Sequence, residues 1–217
     1  MDMTDYQTLL PADLNLRLQR PLVGRGCFGS VFEATEVHAD GKPSANRVVR
    51  FLPPVAGDEW LQRLRERIAR LDDLRLPHVS THRDGGIVDA RFYLVGDRHE
   101  RTLDSLLTDD EGRPPVEAWQ IVEQLIDGLA ALHERGIAHG DLRPRRIFID
   151  AAVRRDREWT ARIGDPMLGA LNWASDGLLV DDDARAYRKE RDQSAEPSPQ
   201  ADLYALGCIV CELAGGR

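Results

Sequence analysis

The run Gly24-Arg-Gly26-Cys-Phe-Gly29-Ser-Val31 limits the folds open to this chain more than any other feature, because of what comes after it. Glycines at this spacing permit a tight turn and let backbone N–H groups approach an anion without an intervening side chain. In a dinucleotide-binding βαβ unit the last glycine opens a helix. Here it opens SVFEATEV, which is β-branched and strand-like. No Gly-Lys-Ser/Thr follows, so a Walker-type phosphate loop is excluded as well. What remains is a strand–loop–strand flap, Leu18–Gly24 and Ser30–Val37, shaped to lie over a nucleotide; the alternative is a glycine-rich hairpin with no ligand.

Periodicity then divides the chain. Arg47–Leu52 reads as a third strand, and Gly86–Val95 as a hairpin broken near Asp89 and Ala90. Between them, Asp58–Leu74 places Trp60, Leu61, Leu64, Ile68 and Leu71 at helical spacing. From Pro115 the pattern is that of a long amphipathic helix with Val116, Trp119, Val122, Leu125, Ile126, Leu129 and Leu132 on one face, stopping at Gly136. Sheet comes mainly first and helix mainly second, with a connector near Gly96–Thr102. This predicts an α+β chain of two lobes.

Charge and cysteine usage narrow the function classes. With 29 basic against 37 acidic residues the net charge is −8, which repels phosphate backbones and anionic lipid. We therefore expect a protein partner, no nucleic acid, and no membrane contact from these residues. The N-terminal stretch lacks the basic and apolar regions of a signal peptide, and three cysteines make no disulfide framework, which fits a reducing, cytoplasmic setting. Cys208 and Cys211 form a C-x-x-C, but with no second pair or nearby His pair they are expected to be core residues one turn apart.

A second cluster follows the long helix: His139-Gly-Asp141-Leu-Arg143-Pro-Arg145-Arg146, then a strand at Arg146–Asp150, another at Thr160–Gly164, and Asp165. Asp202-Leu-Tyr-Ala-Leu-Gly207 opens the last helix. In this order the motifs resemble the eukaryotic-type protein kinases, especially bacterial serine/threonine kinases, over residues 17 to 217. The resemblance implies a two-lobed fold: a 1–16 extension, a 17–96 lobe with an antiparallel sheet and one main helix, and a mainly helical 97–217 lobe. That second lobe is expected to be incomplete, a fragment or one completed by another chain, because the sequence stops at Gly215-Gly216-Arg217.

The resemblance also implies phosphoryl transfer from ATP, a matter of positioning and charge neutralisation. Gly24, Gly26, Gly29 and Val31 match the nucleotide flap, Asp141 the acceptor of the substrate hydroxyl's proton, and Asp165 the magnesium ligand. The departures are chemical. The V-A-I-K lysine is Arg50, whose helix partner by position is Glu66, the alternative being a solvated Glu66 with no such role. The asparagine that offers an oxygen to the second metal is Arg146, which carries five donors and no acceptor. The D-F-G position reads Asp165-Pro166-Met167, and Gly140 replaces the arginine that answers a phosphorylated activation loop. Gly96 falls where the back of the nucleotide pocket is gated, with an ordinary loop glycine as the equal alternative, and His139 is expected to be a packed structural histidine. The reading that follows is a pseudokinase holding ATP, with Mg2+ weak or absent. Its rivals are an active atypical serine/threonine kinase, with Asp141 as base, and a nucleotide-free scaffold.

Overall fold

The computed structural model describes residues 2–26, 29–52, 62, 65–66, 69, 75–89, 91–109, 118–151, 159–164, 166, 186–188 and 197–215. In chain order the strands are β1 (Leu16–Gly26), β2 (Gly29–Val37), β3 (Pro43–Phe51), β4 (Val79–Ser80), β5 (Asp84–Val88), β6 (Arg91–Asp97), β7 (Arg101–Thr102), β8 (Ile147–Ala151) and β9 (Trp159–Gly164). The helices are α1 (Met3–Leu9), α2 (Leu103–Asp109), α3 (Ala118–His133) and α4 (Pro199–Leu213). They fall into two compact units: Met1–Asp73 with His82–Arg98, and Leu74–Thr81 with His99–Arg217.

The first unit is a five-stranded antiparallel sheet in the order β1-β2-β3-β6-β5. Register gives its two faces different chemistry. Ser30 pairs with Phe51, Phe32 with Val49, and Val49 with Val95, so these residues share one face. Leu9, Leu10, Phe32, Val49, Phe51, Tyr93 and Val95 are buried together there, the first two being the last residue of α1 and the residue that caps it. Val31 pairs with Arg50, and Arg50 with Leu94, on the opposite face. The expected strands at 18–24, 30–37 and 47–52 are present, each starting earlier than expected and the third ending at Phe51, and the hairpin break falls at Asp89, which has φ 49°. Of the expected helix over 58–74, residues Gln62, Arg65, Glu66 and Ala69 are helical and exposed; its five apolar positions lie outside the described residues.

In the second unit a small sheet, β4-β9-β8-β7, packs against α3. Ile121, Val122, Leu125, Leu129 and Leu132 form the buried stripe of α3, at spacings of one, three and four residues that keep them on one side of a helix. They meet Ile147, Ile149, Ala161 and Ile163 from the strands and Ala205, Leu206, Ile209 and Leu213 from α4. Two residues expected on the buried stripe are not there: Trp119 is 66% exposed and Ile126 48%. Both lie beside the Ile121–Leu125–Leu132 line, on the flank that turns to solvent. The stop at Gly136 is observed, with φ +68°. Ser198 caps α4 by accepting from the Ala201 amide, and Pro199 follows as its first residue. Cys208 is half-buried and Cys211 exposed, so they are not the core pair that their spacing suggested. The buried side of α4 is set instead by Ala205, Leu206, Ile209 and Leu213.

Candidate functional site

The candidate residues fall into two groups, one in each unit. In the first, β1 and β2 form the flap: Val23 pairs with Val31 and Gly26 with Gly29. Gly24 and Gly26 both lie within β1, where the pairing register shifts between Val23 and Gly26. Gly29 has φ +88°, and a Cβ built on it would sit 1.9 Å from the Phe51 carbonyl oxygen. The third glycine is therefore demanded by the sheet itself, whatever binds. Arg50 stands beside Val31 in the next strand, half-buried, on the face that α1 does not cover. Gly96 shares that face, since it pairs with Val48, and a side chain there would meet nothing within 4 Å. Glu66 is exposed, and its carboxylate accepts from Gln62 one turn earlier at 3.2 Å. Glu66 lies on the exposed side of its segment with Gln62, Arg65 and Ala69.

In the second unit the loop between α3 and β8 is held from beneath by one carboxylate. Asp202, 1% exposed on α4, accepts the His139 amide at 2.7 Å and the Gly140 amide at 2.8 Å. It also accepts from His133 Nε2 at 2.9 Å. His139 is fully buried; its Nδ1 accepts the Asp141 amide, so Nε2 carries the proton and donates to the Gly164 carbonyl at 2.9 Å. It is a packed histidine that ties the loop to β9. Gly140, with φ +77°, also receives Arg188 on its carbonyl at 3.1 Å.

This scaffold presents Asp141 to two guanidinium groups. Arg146 Nε donates to Asp141 Oδ2 at 3.2 Å, and Arg143 Nε pairs with Oδ1 at 3.4 Å. All three side chains are almost out of solvent: 2% exposed for Asp141, 4% for Arg143 and 8% for Arg146. Arg146 lies in a single 3-10 turn, Pro144–Arg146, that aims it back at the loop. Its neighbour Arg145 turns outward to Asp104 of α2. At this position a metal would meet five N–H donors and no lone pair, so the side chain does not fit a second metal. Asp165 lies outside the described residues, whereas Pro166 is buried in a turn.

A family model of the protein kinase domain matches residues 18–217. The chain belongs to the protein kinase family. The kinase domain is 26% identical over 208 residues to serine/threonine-protein kinase PrkC of Bacillus subtilis, covering 90% of this chain and 30% of that protein. It is 28% identical over 214 residues to serine/threonine-protein kinase pkn2 of Myxococcus xanthus, covering 96% and 25%. It is 30% identical over 200 residues to serine/threonine-protein kinase PknH of Mycobacterium tuberculosis, covering 90% and 30%. The chain thus spans a third or less of each of these relatives. The α+β arrangement expected from the motif order, an antiparallel sheet followed by a mainly helical part, is the one observed.

Sequence reasoning missed three parts of the kinase domain's site. Asp202 entered only as a helix opener, yet it holds the loop. Arg143, quoted within the motif, was not weighed as a partner of Asp141. Arg188, not singled out by the sequence, reaches the Gly140 carbonyl. The available signal was a surplus of arginines, three within the four residues after Leu142, around one carboxylate.

Among the described residues no helix is long and apolar enough to cross a membrane.

Proposed function

We propose that this kinase domain is a pseudokinase, a nucleotide-binding or regulatory signalling module with little or no phosphoryl transfer. One observation carries the reading: the Asp141 carboxylate is held by Arg146 and Arg143 inside the protein. A general base must present a free lone pair to the proton it takes. Here Arg146 donates to one carboxylate oxygen and Arg143 stands 3.4 Å from the other, so a substrate hydroxyl would compete with two guanidinium groups, and the position that should supply a metal-ligating oxygen supplies a cation instead.

The flap is what supports retained nucleotide binding. Its glycines, Val31 and Arg50 lie along adjacent strands, and Arg50 gives a phosphate a fixed positive charge. ATP is the nucleotide, with Mg2+ contributing weakly or not at all. The partner is a protein, and free Cys208 and Cys211 suit a reducing, cytoplasmic setting.

The rival is an active atypical serine/threonine kinase, favoured by the retained Asp141 and by relatives named serine/threonine-protein kinases. A thermal-shift titration with ATP, with and without Mg2+, tests binding; a saturable stabilisation of about 1 kcal/mol or more supports it. No shift at any ATP concentration points to the nucleotide-free scaffold. Transfer of labelled phosphate to a protein acceptor, lost in Asp141→Ala, would make the rival correct.

A further inference from the structure

Residues 2–17 precede the region matched by the kinase family model, which begins at residue 18. They are built into the first unit nonetheless. Asp2 and Asp5 form a reciprocal capping box that starts α1. Leu9 and Leu10 at its end are buried. Gln7 fastens the segment to β1, donating to the Leu16 carbonyl at 3.0 Å and accepting the Leu18 amide at 2.7 Å.

The contact of interest is Tyr6. Its ring centroid lies 4.9 Å from Phe32 of β2 and 4.9 Å from Phe51 of β3, and Phe32 and Phe51 meet edge to face at 6.0 Å. Its hydroxyl is 3.0 Å from Ser30 Oγ. Ser30 is the residue after Gly29, and Gly29 packs directly on the Phe51 carbonyl. One side chain therefore touches the flap's outgoing arm, β2, at Ser30 and Phe32, and the neighbouring strand β3 at Phe51. Phe51 is also the neighbour of Arg50. Packing on one face of the sheet is thereby coupled to flap residues whose candidate ligand contacts lie on the other.

We infer that α1 is a built-in clamp on the glycine flap, and that Tyr6 is the positioning residue through which it acts. When Tyr6 is seated, Ser30, Gly29 and Phe51 are held in one arrangement. When it is released, the flap loses its anchor at the outgoing arm while the rest of the sheet remains paired. A signal that draws the N-terminal segment away would then loosen the flap without touching a ligand-binding residue. The affinity part of this inference rests on the nucleotide-binding reading; the clamp itself does not.

The test uses the full chain as wild type, Tyr6→Phe, Ser30→Ala and the double variant. Amide hydrogen exchange is followed in peptides covering 29–32 and 48–51, with α3 as internal reference. A single hydrogen bond changes local opening roughly two- to tenfold. Each single variant should raise exchange at 29–32 by about that factor with α3 unchanged. The double should go no further than either single, since both remove the same bond. Tyr6→Ala should extend the increase to 48–51. Where wild type binds ATP, Tyr6→Phe should weaken the dissociation constant severalfold at an unchanged melting temperature, which a merely structural residue would not do.

Exchange at 29–32 equal to wild type in both single variants overturns the clamp. So does an increase that appears equally in α3, or one that multiplies in the double. If Tyr6→Ala unfolds the protein, Tyr6→Phe and Ser30→Ala decide the matter alone. If wild type binds no ATP, the nucleotide reading fails and exchange still judges the clamp.

Discussion

Replacing Arg146 by Met should destabilise this domain, although it removes a cation from a position where the family places a neutral residue. Arg146 is 8% exposed and its partner Asp141 2%, at 3.2 Å. Breaking a buried ion pair by removing one member costs about 3–5 kcal/mol, because the other charge is left without its counterion. Asp141 is not abandoned, since Arg143 remains at 3.4 Å from the other oxygen. The expected loss is therefore nearer 2 kcal/mol. For a chain of this size that lowers the melting temperature by about 4–8 °C. The single substitution does not isolate the pair, because a guanidinium has further donors to place. A double-mutant cycle with Asp141→Asn does. We expect a coupling of about 1–2 kcal/mol between positions 141 and 146 in urea unfolding at neutral pH. Additivity to within about 0.4 kcal/mol would mean that the two groups do not sense each other, and the argument built on their pairing would be wrong.

Gly29→Ala should cost at least about 2 kcal/mol in urea unfolding with or without nucleotide, since a Cβ at φ +88° meets the Phe51 carbonyl at 1.9 Å; a neutral result would refute that close approach. Asp202→Asn replaces one of two accepting oxygens with an NH2 that faces N–H donors and should cost about 3 kcal/mol, read as a fall in melting temperature of roughly 6–12 °C. Hydrogen bonds from Arg20 first and Arg98 second lower the Glu33 pKa from 4.5 to about 2. Its folded value lies below its unfolded one, so the stabilisation is complete above about pH 4.5 and is lost as pH falls toward 2. With Arg20 69% exposed the amount is about 1 kcal/mol, and Glu33→Gln should remove that part of the acid dependence of stability. Arg146→Asn combined with Arg50→Lys should raise Mg2+-dependent ATP affinity, measured by calorimetry; no gain would place the block elsewhere, with Pro166-Met167 the next substitution to test.

How much of this was legible in the sequence depended on whether the signal was local. Strand and turn chemistry is local, so the flap at Gly24–Val31 and the hairpin at Asp89 were readable from a few residues each. Periodicity found α3 but misjudged its width: Trp119 and Ile126 are apolar, yet the buried stripe runs through Ile121, Leu125 and Leu132. Nothing in a single sequence says which apolar edge of a helix meets a neighbour. The same limit put Cys208 and Cys211 in the core. The helix α1 was missed because seven residues are too few for a periodic pattern. Its signal was the reciprocal Asp2 and Asp5 at capping-box spacing. The Asp202 anchor was out of reach, because its hydrogen-bond partners lie more than sixty residues away in sequence.

Asp141 carries the strongest motif argument for catalysis, and its surroundings weaken that argument. An arginine drawn into the interior requires a counterion, since an unpaired buried charge costs several kcal/mol. Once Arg146 occupies its place in the 3-10 turn, a carboxylate opposite it stabilises the loop whether or not any phosphate is transferred. Arg143, also buried, adds to the same requirement. Asp141 therefore has a structural reason to be aspartate that is independent of chemistry. The same holds for Asp202 and His139, which satisfy backbone amides and a carbonyl and touch no reacting group. Retention of these three residues thus distinguishes an active kinase from an inactive one much less well than the identity of position 146. There an asparagine offers a metal an oxygen, and an arginine offers only positive charge and N–H donors.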